Sequence, residues 1–433
     1  MRSPQRSSRA PILSERSVTG SLAAGLVVAL CASPAQALQP LGEFFASSRK
    51  MSTDARQAAL TTVQREADAL VAEGQLLPSL SASGTYTFNQ YEAAVAGEGT
   101  LVIQPRHGLS GTAQLSVPLL DLAGWRRLQA ARTLVEAARQ SAETTALAVE
   151  RQVAQSYFQL IGAEALCRSY DQSLAVARES VATAVAKREE GAATDLDVSR
   201  AEVDVEGLNL KLADERLVVA LAHRALRTLS GLEPAADPPE LSDDLHDEGP
   251  LQSWESRAEQ VPSVKVATES ALAAAQQEQA DRLAFLPSVN GAATEQATNA
   301  PGFVGHSAYF TATVSASWRL DVSAFGRVKG RDAAAASARV QQQAALDRAR
   351  DAVHEAWQRV ASGIAASRAA RSQAASARLA ARSARERYAG GSGTQLELSQ
   401  AQRDQSSMEA ARIQADANLL LARALLRLTV GEH

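Results

Sequence analysis

No proline occurs between Pro118 and Pro234, or anywhere after Pro301. Residues 119–233 and 302–433 therefore lack the one residue that removes a helical hydrogen bond and clashes with the preceding turn. Both stretches are rich in Ala, Arg, Gln, Glu and Leu, which favour helix. The pattern predicts very long helices and excludes an all-β or collagen-like chain. Hydrophobic residues at 45% and charged residues at 21% suit a folded protein. Aromatics, at 4%, are few for a compact enzyme core.

The chain repeats itself at an offset of 200 residues. Gly191, Thr194, Leu196, Ser199, Ala201 and Asp204 recur as Gly391, Thr394, Leu396, Ser399, Ala401 and Asp404, and Asp197 faces Glu397. Leu77-Pro78-Ser79 matches Leu286-Pro287-Ser288 at the larger offset of 209, so the first half carries extra residues between its Pro-Ser and Asp121. That insertion is expected to be a loop. The organisation reads as residues 1–37, a first repeat 38–231, a proline-rich acidic connector 232–252, and a second repeat 253–433. Each repeat reads as helix, two strands, very long helix, tight turn, shorter helix.

Length constrains the assembly of these pieces. A helix from about Gly124 to Glu189 is ~100 Å long at 1.5 Å per residue. The helix predicted after the turn, from Asp195 to Leu229, and the one predicted before the strands, 43–76, are each about half that. Stacked end to end, the two short helices cover the long one. The second repeat closes the same way, with a leading helix over 253–284. Ala366, Ala370, Ala374, Ala377 and Ala381 place a small-residue stripe on one face of the second long helix.

The strands alternate with period two. Leu80, Ala82, Gly84, Tyr86 and Phe88 are interleaved with Ser81, Ser83, Thr85 and Thr87. Leu109 to Leu119 alternate with Ser110, Thr112, Gln114 and Ser116, and Phe310 to Trp318 with Thr311, Thr313, Ser315 and Ser317. One face is apolar and the other rich in hydroxyls. Such a sheet packs on a soluble core or turns its apolar face to lipid and its polar face to water. Ten of the 18 aromatics fall in 78–126 and 285–325, as an aromatic girdle requires. The alternation before Asp121 is one residue out of step with that before Asp321, and Pro118 marks a candidate bulge. Four strands per chain cannot close a barrel, and open edges cannot sit in lipid. Two copies would pool eight strands and three copies twelve.

Residues 1–20 carry Arg2, Arg6, Arg9 and Arg16 against Glu15, followed by an apolar run from Leu22 to Cys31 and by Ala35-Gln36-Ala37. This is the pattern of a secretory signal peptide cleaved before Leu38. Removing it leaves 40 basic and 47 acidic residues, a net charge of −7, which argues against nucleic acid as a partner. One cysteine, Cys167, remains, so no intramolecular disulfide is expected. The six histidines have no ligand spacing, and no metal, cofactor or catalytic signature stands out.

Three features together resemble the TolC family of outer-membrane efflux proteins: the paired Leu-Pro-Ser segments, the Val117-Pro118-Leu119-Leu120-Asp121 run, and the segment Arg387 to Arg403. The resemblance covers 38–433. It implies a mainly α fold, with a membrane β-barrel of twelve strands shared by a homotrimer and a long α-helical periplasmic tunnel. It further implies a passive exit channel in the outer membrane, in contact with its lipid, working with a periplasmic adaptor and an inner-membrane transporter in drug efflux or type I secretion. The rival reading is an exported coiled-coil scaffold of the envelope that conducts nothing.

By the same resemblance, Tyr388 is the gate tyrosine, and Asp197 and Glu397 form an acidic constriction. Gly191, Thr194, Gly391 and Thr394 build the helix tips that meet the adaptor. Gly393 stands where some members have a gate arginine, and Gln400 where they have a further acid. Gly191 and Gly391 suit a tight tip turn, and Thr194 and Thr394 suit N-caps. Repulsion within a ring of such acids is expected to raise some of their pKa values.

Overall fold

A computed structural model describes residues 38–96, 100–235, 241–319 and 321–432. The predicted signal peptide, 1–37, and residues 236–240 of the connector lie outside them. Two helices dominate: α3 (Leu122–Glu189) and α7 (Val322–Ala389), each of 68 residues. Each returns through a tight turn into a 36-residue helix, α4 (Asp195–Ser230) or α8 (Gln395–Val430). Asp121 and Asp321 start the long helices by accepting the backbone N–H of Gly124 and Ala324, both at 2.7 Å. Among the described residues no helix is long and apolar enough to cross a membrane.

The leading helices are not continuous as predicted. The first is broken into α1 (Leu41–Met51) and α2 (Thr53–Gly74) at Ser52, which is extended at φ −59°, ψ 136°. The second consists of α5 (Leu251–Glu255), a 3-10 turn (Ala258–Gln260) and α6 (Pro262–Leu283). Its break falls at Val261, at φ −61°, ψ 133°. Pro262 forces that break, since the residue before a proline is pushed out of the helical region. Ser52 and Thr53 make the same break without a proline.

The helices form a layer about four abreast. In the half nearer the tips, α3 packs between α4 and α8, and α8 packs on α7. In the half nearer the sheet, α3 packs between α2 and α6, and α6 packs on α7. Phe44 of α1 plugs a core with Val153, Leu160 and Leu226. Trp254 of α5 plugs its counterpart with Val353, Val360 and Leu426. The buried stripe of α7 runs through Val360, Ile364, Ser367, Ala370, Ala374 and Ala381. Ala366, assigned to that stripe from sequence, is exposed. Ser367 takes its place because it hydrogen-bonds the fully buried Asp416, which Arg371 and Arg412 each hold at 3.0 Å.

The strands β1 (Ser79–Phe88), β4 (His107–Leu120), β5 (Ser288–Thr298) and β6 (Ala308–Ser317) form one antiparallel sheet in the order β1-β4-β5-β6. The insertion is not a plain loop: it folds as a hairpin of β2 (Ala93–Ala96) and β3 (Thr100–Gln104). The parity mismatch is a β-bulge. Pro118 faces Asn290 and Leu120 faces Val289, which leaves Leu119 as the extra residue.

The register gathers each kind of residue on one face. Leu80 aligns with Leu115, Ala293 and Ala312 across the sheet, Ala82 with Ala113, Glu295 and Phe310, and Tyr86 with Leu109. Glu295, beside Phe310, interrupts that apolar face. On the other face Ser116 pairs with Asn290, Ser288 with Ser317, and Tyr309 with Gln296. Large apolar side chains stay exposed, including Leu80 at 77%, Val314 at 74% and Trp318 at 66%.

Candidate functional site at the helix tips

The two tips are built alike. Gly191 and Gly391 take positive φ, 76° and 75°, the left-handed conformation in which a Cβ is unfavourable. Past them, the Ala192 and Ala193 N–H groups donate to the Lys187 carbonyl, and those of Ser392 and Gly393 to the Arg387 carbonyl. These bonds satisfy carbonyls that the ending helices leave open.

Thr194 and Thr394 are the N-caps of α4 and α8, and each belongs to a capping box with the acid three residues on. The Thr194 N–H donates to Asp197 at 3.0 Å and its hydroxyl to the same oxygen at 2.8 Å. The Thr394 N–H donates to Glu397 at 3.1 Å. Arg387 stands 3.6 Å from Glu397 and Arg200 3.9 Å from Asp197. The backbone N–H and then the hydroxyl of Thr194 hold the Asp197 carboxyl below its ordinary pKa. A carboxylate that accepts hydrogen bonds is favoured in its charged form.

Tyr388 is 6% exposed at the end of α7. Its hydroxyl has no hydrogen-bond partner among the described residues. Burial, and then the charge of Asp197, push its pKa up. The residue that reaches it is Lys187, near the end of α3. Lys187 Nζ lies 3.7 Å from the ring centroid and donates to the Tyr388 carbonyl at 2.6 Å. Sequence reading missed Lys187. Its one signal was alignment with Arg387 at the 200-residue offset.

The two family departures have local accounts. A Cβ at position 393 would lie 3.1 Å from both Arg387 Cβ and the Tyr388 nitrogen, so glycine fits the tight turn. Gln400 donates to Asp404 at 3.0 Å along α8. Among the described residues no cluster of His, Cys, Asp or Glu could hold a metal ion.

With this geometry in place, similarity to known proteins fixes the class. The model of the outer membrane efflux protein family matches residues 47–232 and again 252–432, and the chain belongs to that family of outer-membrane channel proteins, which are not enzymes. The chain is 29% identical over 243 residues to the antibiotic efflux pump outer membrane protein ArpC of Pseudomonas putida and to the toluene efflux pump outer membrane protein TtgC of the same species. Those alignments span 55% of this chain and about half the length of the relatives, 50%. Its fold is similar to that of the outer-membrane channel OprN, with a TM-score of 0.78 and 19% identity over 91% of this chain and 90% of that one. It is also similar to the outer membrane protein VceC of Vibrio cholerae, with a TM-score of 0.76 and 18% identity over 90% and 96% of the two chains.

Proposed function

We propose that three copies of this chain form the outer-membrane exit channel of a tripartite efflux pump. In this reading the three four-stranded sheets close one twelve-stranded barrel, and the helical layers curve into a periplasmic tunnel. A periplasmic adaptor meets the tips around Gly191, Thr194, Gly391 and Thr394, and an inner-membrane transporter supplies energy and selects substrate. Tyr388, Asp197 and Glu397 line or hold the resting constriction.

The observation that carries this reading is that every layer ends at the same two margins. The sheet ends in β1 and β6. The helical layer has α2 and α4 at the first margin and α7 at the second. The first margin is apolar: Leu196, Val203, Leu210 and Leu217 of α4 recur at steps of seven and are 57–67% exposed. A heptad of exposed apolar residues requires a helical partner. One rotation that sets the second margin of a copy against the first margin of the next covers the seam and joins β6 to β1. Eight strands would be largely filled by side chains, whereas twelve leave a bore. The named functions of the P. putida relatives support efflux as the task.

Native mass measurement and planar-bilayer recording test this together. Trimers that conduct support the channel. A stable monomer with full β-content, or trimers that stay silent even with altered tips, would overturn it in favour of a scaffold.

A further inference from the structure

We infer that Lys187 is the residue that locks the two helical hairpins of each chain together at their tips, and that this contact sets the resting aperture. The inference rests on the channel reading above. Each tip closes on itself through its own glycine turn and threonine box. Lys187 to Tyr388 is a bond between the hairpins, spanning 201 positions. It has two parts. The ammonium donates to the Tyr388 carbonyl at 2.6 Å, and it sits 3.7 Å from the centroid of the same ring, where a cation is attracted by the π face.

Further from the tips, α3 is tied to α8 by Ser180 and Gln402 at 2.9 Å, and α4 to α8 by Asp204 and Arg403 at 3.4 Å. Ser180 lies seven residues before Lys187, or ~10 Å along the helix. Without Lys187, about that length of the α7–α8 tip can swing away from α3. A gate arginine is absent at Gly393, where a Cβ would come within 3.1 Å of Arg387 Cβ and the Tyr388 nitrogen. Lys187 supplies a cation at the tip from the opposite hairpin. The contact uses a backbone carbonyl and a ring face, so it survives loss of the tyrosine hydroxyl, which has no hydrogen-bond partner among the described residues.

The test uses the full-length protein in planar bilayers, with native mass confirming trimers for each variant. Lys187→Met keeps the length of the side chain but removes its charge and donors. It should raise resting conductance by roughly tenfold, the population shift expected from losing one charge-assisted hydrogen bond. Lys187→Arg restores a donor and a cation over the ring and should stay near wild type. Tyr388→Leu keeps the carbonyl and should give a smaller rise. Adding it to Lys187→Met should bring no further rise if the two residues form one contact. Lys187→Met trimers with wild-type conductance, or Lys187→Arg as leaky as Lys187→Met, would overturn the lock while leaving the channel reading intact. Inserted trimers that never conduct in any form, wild type included, would overturn both.

Discussion

Arg423 Nη1 lies 2.5 Å from Glu248 Oε1, which ties α8 to the segment between the two repeats. The same guanidinium meets Asp243 at 3.0 Å and the His246 carbonyl at 2.7 Å, and the Arg423 and Asp243 side chains are 6% and 5% exposed. Arg423→Met would leave two nearly buried carboxylates without their cation. The loss should be about 3–5 kcal/mol, as for breaking a buried ion pair from one side. Thermal unfolding should show the drop, and proteases should cut within 241–250 before the helices unfold. Wild-type protease resistance of that segment would show that the arginine does not clamp it.

Acid should loosen the helical layer through Glu409. Burial alone would raise its pKa, but the hydrogen bond and charge of Arg412, with Arg378, hold it below the ordinary value. A carboxylate depressed in the folded state stabilises above its unfolded pKa, and that contribution is lost as pH falls through the folded pKa. Asp197 has the same sign. The unfolding temperature should therefore be flat from neutral pH down to about 5 and fall below about 4.5. Glu409→Gln should lower stability near neutrality and flatten the acid limb. An unchanged acid limb in that variant would count against this origin.

The sequence disclosed the long helices, because the absence of proline over more than a hundred residues is a direct statement about backbone. It disclosed the strand faces through side-chain alternation, and the slipped parity pointed to the bulge that leaves Leu119 unpaired. The break at Val261 falls inside the helix read over 253–284 although Pro262 marks it, whereas that at Ser52 had no local mark. The ionic core around Asp416 was hidden for another reason. Arg371 and Arg412 look like solvated helix charges until α7 and α8 are laid together. Lys187 was illegible because its partner is a carbonyl and a ring 201 positions away, and neither carries a spacing pattern.

The two faces of β6 should respond oppositely to charge. Val314 is 74% exposed on the apolar face, in the row of Gly291 and Val117, while Thr313 points the other way. Val314→Arg or Ala312→Arg should hinder insertion, at about 2–4 kcal/mol per site for a midplane position facing lipid. Thr313→Arg or Ser315→Arg should insert and shift ion selectivity. Heat-modifiable migration on gels and reversal potentials would separate these outcomes. Equal tolerance on both faces would mean that the sheet does not divide lipid from water.

Leu210 should matter to assembly and not to the fold of one chain. It is 65% exposed at the centre of the α4 seam, so Leu210→Glu removes no contact within the chain core. The substitution should leave helical content unchanged and abolish trimers in detergent. Leu212, on the buried side of the same helix, gives the contrast. Leu212→Ala should lower chain stability by about 2–5 kcal/mol while the seam is untouched. Trimers of Leu210→Glu that are as stable as wild type would place the interface elsewhere.

The tip acids cap their helices, and the channel reading proposes for them a second role at the constriction; the threonines that they pair with separate the two. Thr194→Ala and Thr394→Ala break the capping boxes but keep the charges of Asp197 and Glu397. Each should cost about 1 kcal/mol of stability and leave ion selectivity alone. Asp197→Ala combined with Glu397→Ala removes up to six negative charges from a trimeric mouth, besides weakening the same caps. A ring of carboxylates concentrates cations, so this double variant should conduct with weaker cation preference and weaker block by multivalent cations. The reversal potential across a salt gradient, recorded for both pairs, decides between the roles. If the acid pair matches wild type while the threonine pair loses stability, then Asp197 and Glu397 serve only to start α4 and α8, and the constriction lies with other residues.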